Sequence, residues 1–196
     1  QTPERVESFL VNIANTAKPF AQKDFEMIRS YKEKLSGDDV FNPWDLAFYE
    51  EKLKKEQFDF DEEEVRPYLE VDKVLDGVFE HAKLLYGIST KERKDLPVYH
   101  DDVKVFEFKK DSGEDVGLLY LDLYPRDSKR QGGWIETLRV QHKNQGVRIS
   151  PHLLIVCNLT KPTETTPALI TSYEAEVIFH EFGHALSVLL CDSQYA

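Results

Sequence analysis

Three residues near the end of this sequence are typed and spaced for joint chemistry. His180 and His184 stand four apart in VIFHEFGHAL, with Glu181 between them. At about 3.6 residues per turn, such a pair lies on one face of a helix, one turn apart. Two imidazoles so placed can grip one Zn2+ with bonds of about 2.0–2.1 Å. Glu181 is rotated to one side, where its carboxylate can reach a water on the metal. Zinc lowers the pKa of such a water to about 7, and the glutamate can take its proton. The resulting hydroxide attacks a carbonyl, and the glutamate delivers a proton to the leaving amine. H-E-x-x-H on a helix therefore points to peptide hydrolysis. In a chain with 6 histidines the pattern is expected by chance only about 0.02 times.

Such a site needs a third protein ligand. Cys191, seven residues past His184, falls on nearly the same helix face, and a thiolate binds zinc well, but it sits among leucines and is a weak candidate; Asp192 is no stronger. Glu176, one turn before His180, either orients a ligand from behind or simply favours the helix N-terminus. His81 sits in a periodic helix, His100 beside Asp101 and Asp102, and His142 in a polar stretch. None of these three forms a second constellation. His152 opens an apolar run and is the lone histidine worth following.

The motif lies in a helical pattern, ALITSYEAEVIFHEFGHALSVLL, whose apolar side includes Val177, Ile178, Leu186, Leu189 and Leu190. Gly183 is unusual there, because glycine costs a helix about 1 kcal/mol; close packing against the helix would explain it. Upstream, Val6, Phe9, Leu10, Ile13, Ala14 and Ala17 recur at spacings of three and four, a helix that Pro19 should break or kink. A second helical stretch runs through Phe25, Ile28 and Leu35 to Ser36-Gly37. Asn42 and Pro43 suit the N-cap and first position of another. Val71, Val74, Leu75, Val78, Phe79, Ala82 and Leu85 give the clearest helical period, with Gly87 as its stop. VYHDDVKVFEFKK and VGLLYLDLYPRD flank the turn cluster DSGED and predict an antiparallel hairpin. HLLIVCNLT predicts a buried strand. The polar stretch SKRQGGWIETLRVQHKNQGVRIS reads as loop. The expected architecture is α+β and predominantly helical: a helical part over 1–90, a small, mainly antiparallel sheet with loops over 97–160, and the motif helix over 168–191.

The chain has 196 residues, 41% hydrophobic and 31% charged, enough for one good-sized core. Its net charge of −11 disfavours nucleic acid and anionic membrane surfaces as partners. No apolar run reaches the length of a membrane span. Cys157 and Cys191, far apart among apolar residues, predict buried free thiols, and so sparse a cysteine content suits the cytoplasm.

EAEVIFHEFGHAL resembles the active-site helix of the thimet oligopeptidase family of zinc metallopeptidases, which includes oligopeptidase A and peptidyl-dipeptidase. PWDLAFYEEKL, RPYLEVDKVLDGVFEHAKLLYGI, GLLYLDLYPRDSKRQGGW and LLIVCNLTKPT are similar to that family's segments in the same order. The resemblance implies a zincin-like catalytic domain, mostly helical, with a deep channel that admits short peptides and excludes folded proteins. It implies His180 and His184 as zinc ligands and Glu181 as catalytic base. The family's third ligand is a glutamate on a following helix, and its substrate-binding loop lies further on; both fall past Ala196. Ser187 stands where relatives often carry histidine, a position that is not a ligand. The expectation is a piece of a zinc peptidase that, alone, hydrolyses peptides poorly or not at all. The alternative is a non-catalytic binding or structural piece with a weak two-histidine site. In peptidases with this helix a nearby sheet edge holds the substrate backbone as an added strand, and His152–Asn158 is the candidate run.

Overall fold

The computed structural model describes residues 2–59 and 61–195. The chain forms two compact units, Gln1–Asp61 and Glu62–Ala196.

The first unit holds α1 (Pro3–Ser36) and α2 (Asp45–Phe58). Pro19 does not break α1, which runs through it as one helix of 34 residues. Proline removes the N–H that would bond the carbonyl of Asn15, but both residues are exposed, so water can serve that carbonyl. The stripe from Val6 to Ile13 is exposed as well. Burial in α1 is confined to Ile28 and Lys32. The Lys32 ammonium reaches Asp38 at 3.2 Å and Asp45 at 3.8 Å and donates to the Val40 carbonyl. Gly37 ends α1 in the left-handed region at φ 69°, where glycine has no Cβ to clash. The next helix begins at Asp45 rather than at Pro43. Asn42 accepts from Asp45 N at 3.0 Å, and the Asp45 carboxylate accepts from Asn42 N at 2.8 Å, so a turn precedes the helix.

The second unit opens with α3 (Glu62–Val65), a 3-10 turn at Arg66–Tyr68 and α4 (Val71–Tyr86). Gly87 closes α4 at φ 63°, as its sequence position predicts. Seven strands follow: β1 (Ile88–Glu92), β2 (Lys104–Lys110), β3 (Asp115–Asp122), β4 (Trp134–Arg139), β5 (His142–Asn144), β6 (Val147–Ile149) and β7 (His152–Val156). The last helix is α5 (Ser172–Leu189). Five strands make a sheet in the order β1-β2-β3-β7-β4, and β5-β6 is a separate hairpin. The β2-β3 hairpin is the one predicted. Only β3 and β7 run parallel; the other pairs are antiparallel. The molecule is thus a mixed α+β fold, mostly helical, with a small and mainly antiparallel sheet.

The stretch from Ser128 to Ser150 is not mostly loop, because it supplies β4, β5 and β6. The interior position of β7 fits its apolar run, of which Leu153, Ile155 and Val156 are buried. It also corrects the choice of peptide-docking edge. With β3 on one side and β4 on the other, β7 has no open edge. On the α5 side of the sheet the unpaired edge among the described residues belongs to β4.

Helices α4 and α5 pack on one face of the sheet. Val71, Val78, Ile88, Phe108, Leu119, Leu153, Ile155, Ala185 and Leu189 belong to one core cluster. Phe79 of α4 meets Phe106, Phe108 and Phe182 with ring centroids 4.8, 5.7 and 5.8 Å away, and the Phe182 ring lies 6.0 Å from Phe108. At Gly117 of β3, a Cβ would stand 2.6 Å from Leu189 Cδ2 and 2.7 Å from the Pro151 carbonyl. Its absence lets the end of α5 settle on the strand. The β5-β6 hairpin then brackets that end. The Arg148 guanidinium donates to the carbonyls of Leu189 at 3.0 Å and Cys191 at 3.3 Å, which suits the negative end of a helix. Gln141, 1% exposed, donates to Ser193 O and accepts from Ser193 N.

Candidate metal centre

Helix α5 carries His180, Glu181 and His184, and its start is fixed locally. Thr171 is the N-cap: its hydroxyl accepts from Glu174 N at 3.1 Å, and the Glu174 carboxylate accepts from Thr171 N at 2.8 Å. This reciprocal box satisfies two N–H groups that a helix start leaves open. Its signal, T-x-x-E, stands in the sequence and was not part of the sequence reading above. Ile178, Phe182, Ala185 and Leu189, at spacings of four, three and four, form the buried side.

His180 and His184 lie on the opposite, exposed side. Their Nε2 atoms are 3.1 Å apart, and their rings meet edge to face with centroids 4.8 Å apart. A tetrahedral ion with bonds of about 2.0–2.1 Å would hold two donors about 3.3 Å apart. The two nitrogens therefore converge at nearly the separation that zinc requires, and neutral imidazole is a favoured zinc donor. As a donor pair they fit the metal. Glu181 is half-buried, on the side of α5 that turns toward β4. Val177, one turn before it, is so close to Gly133 that a Cβ there would stand 3.1 Å from Val177 Cγ1. The Cys157 thiol nearby is pushed up to about 11, first by burial and then by the Glu181, Glu174 and Asp122 carboxylates, against a lowering by Lys129. That shift disfavours the reactive thiolate. Glu181 thus shares a flank of α5 with Val177, the residue packed against the segment that leads into β4.

The other candidates do not join them. Among the described residues no group of three His, Cys, Asp or Glu side chains could hold a metal ion. Cys191 lies past the end of α5 and is exposed, in contrast to the buried thiol expected there. The Asp192 carboxylate faces Lys143 Nζ at 3.0 Å. His152 sits on β7 in register with Arg139, and burial, with the Arg139 charge, lowers its pKa. His100 Nδ1 accepts from Asp102 N at 3.2 Å within a turn. His142 contacts the Val140 carbonyl, and His81 contacts that of Gly77. Gly183 is exposed, and nothing lies within 4 Å of a Cβ built on it, so no close neighbour in this unit explains that glycine.

A cluster that sequence reasoning missed lies at the end of β3. Asp122 is 2% exposed and accepts from Tyr99 Oη at 2.7 Å, from both Arg126 terminal nitrogens at 2.8 Å and from Lys129 Nζ at 2.9 Å. Burial alone would raise the Asp122 pKa, but the bonds from Arg126, Tyr99 and Lys129 outweigh it and hold the carboxyl well below its usual range. Burial, with the bond to and the charge of Asp122, pushes Tyr99 up to about 12. A signal for the cluster was present: YPRDSKR places three basic residues just after an apolar strand.

The chain matches peptidase family M3 over residues 1–196. It is 39% identical over 191 residues to oligopeptidase A of Escherichia coli K12, covering 97% of this chain and 28% of that protein. It is 38% identical over 197 residues to dipeptidyl carboxypeptidase of the same organism, covering 100% of this chain and 29% of that protein. To the mitochondrial intermediate peptidase of Arabidopsis thaliana it is 30% identical over 200 residues, covering 100% of this chain and 28% of that protein. The chain thus spans less than a third of the length of the curated relatives it matches.

Proposed function

The chain belongs to peptidase family M3, and on that footing we propose that it is part of a zincin-like catalytic domain that hydrolyses short peptides with zinc. The observation that carries this reading is the convergence of His180 and His184 at 3.1 Å, with Glu181 between them in the sequence of the same helix. His180 and His184 would hold the ion. Bound zinc would polarise the scissile carbonyl and make a water acidic enough to give up its proton near neutral pH. Glu181 would take that proton and later pass one to the leaving amine. The edge of β4, Trp134–Arg139, offers its free N–H and C=O groups to the substrate backbone as an added strand. Peptides are the proposed partners. No helix among the described residues is long and apolar enough to cross a membrane, and the net charge of −11 disfavours nucleic acid. A cytoplasmic setting belongs to the same proposal and rests on two cysteines, both unpaired.

For the chain by itself the proposal is narrower. Two ligands are within reach of one another, and no third joins them among the described residues. Two imidazoles make a weak site, so the isolated chain is read as a non-catalytic piece that binds zinc loosely. Titration of the chain with Zn2+, followed by the imidazole NMR signals, tests this. The signals of His180 and His184 should move together at low affinity, and His180→Ala or His184→Ala should abolish the response of the other. A first response at His152 or His100, with His180 and His184 unmoved, would reject the assignment.

A further inference from the structure

The edge of β4 is placed by its ladder with β7 and by the segment that leads into it, residues 123–133. That segment is fastened at both ends. At its far end Asn158 Nδ2 donates to the carbonyls of Arg130 at 3.0 Å and Gly132 at 2.7 Å. Gly133 is wedged there between Val177 of α5 and the β7 exit at Val156 and Cys157. At its near end stands Asp122, with the Arg126 fork on both carboxylate oxygens and Lys129 on Oδ1.

Lys129 does more than neutralise a charge. Its ammonium also donates to the carbonyls of Asp122 at 2.7 Å and Tyr124 at 2.8 Å, and its side chain is 3% exposed. A lysine is almost never buried so completely unless it is paired, and burying an ion pair is a costly way to add stability. What this geometry does provide is a single conformation. Five bonds involving ionised groups define where the segment turns, and charge-assisted bonds of this kind are short and directional. Two further segments are tied in. Tyr99 brings the 97–103 segment onto Asp122, and Lys161, after β7, reaches Asp102 at 2.7 Å. The backbone closes the frame, with Cys157 N donating to Asp122 O and Leu159 N to Leu123 O.

We infer that Asp122, Arg126 and Lys129 are positioning residues for the peptide-docking edge: they fix the start of β4 relative to α5, and so relative to Glu181. This rests on the peptidase reading above. Loosening the cluster leaves Gly132–Trp134 held by Asn158, the Val177 contact and the β7 ladder alone, a less rigid fastening. Substrate then finds a less ordered edge, while the two histidines, held by α5 and the core beneath it, keep their geometry.

The test uses Lys129→Met, which keeps the stem and removes the ammonium, together with Tyr99→Phe, which removes one donor with little change of shape. Both are made in this chain and in the longer enzyme that contains it. In the chain, amide hydrogen exchange over 123–139 should quicken, while α4 and β2 exchange as before. In the enzyme, KM for a fluorogenic peptide should rise about tenfold for Lys129→Met and less for Tyr99→Phe, the scale of one lost hydrogen bond to a charged group. Turnover at saturation and zinc content should hold. Unchanged exchange over 134–139 overturns the inference. So does faster exchange spread evenly over the sheet, or a fall in kcat and zinc content with KM constant, because these mark a purely structural role. An unmodified enzyme that hydrolyses no peptide overturns the peptidase reading and the substrate half of the inference, while the exchange result still decides whether the cluster anchors the edge.

Discussion

Glu181→Gln in the longer enzyme is expected to lower peptide hydrolysis by about 10² to 10⁴-fold and to leave zinc content unchanged. The substitution keeps the size of the side chain and removes only its basicity. Glu181 is half-buried on the flank of α5 and takes no part in the buried face of Ile178, Phe182, Ala185 and Leu189, so the helix should fold as before. The two imidazoles are supplied by other positions, so the metal should stay. His184→Ala makes the contrast, since it should remove zinc and activity together. A Glu181→Gln enzyme within tenfold of the unmodified rate would mean that another group takes the proton.

Phe182→Ala carries the largest expected effect on stability. The ring is 4% exposed and is held among Phe79 and Phe108, at the point where α5, α4 and the sheet meet. Truncating a buried phenylalanine removes transfer energy and leaves a cavity, at a cost of about 3–5 kcal/mol. That is a large part of the stability of an ordinary domain. Urea denaturation of the chain should show the loss as a lower midpoint, and zinc binding should weaken with it because His180 and His184 ride on the same helix. Phe179, one turn before Gly183 and 44% exposed, is the control. Phe179→Ala should cost much less, and equal losses at the two positions would contradict the assignment of the buried face.

The helices were legible because their apolar residues recur at the helical period, most clearly from Val71 to Leu85. Gly37 and Gly87 stop where left-handed backbone demands glycine. The β2-β3 hairpin was legible from two apolar runs around a turn cluster. β4 was not, and the reason is physical: an edge strand faces water, so Glu136, Thr137 and Arg139 break the alternation that marks a half-buried strand. β5 and β6 are only three residues each, too short for any period. The missed strand mattered most, because β4 covers the side of β7 that was expected to receive substrate. Pro19 does not end α1, since an exposed helix can lose one hydrogen bond to water and continue.

The site was half legible. Spacing alone put His180 and His184 on one face, and the structure brings their Nε2 atoms to 3.1 Å. Cys191 and Asp192, weak candidates by spacing, do not join them, because the helix ends first and Lys143 claims the aspartate. The Asp122 cluster depends on three segments meeting at the end of a strand, which no local pattern encodes.

The measurement that bears most directly on the account is zinc-dependent turnover of a fluorogenic oligopeptide, by the 196-residue chain and by the longer enzyme side by side. Zinc should switch on hydrolysis in the enzyme and produce little or none in the chain. Robust zinc-dependent turnover by the chain alone, or none by the zinc-loaded enzyme, would contradict it.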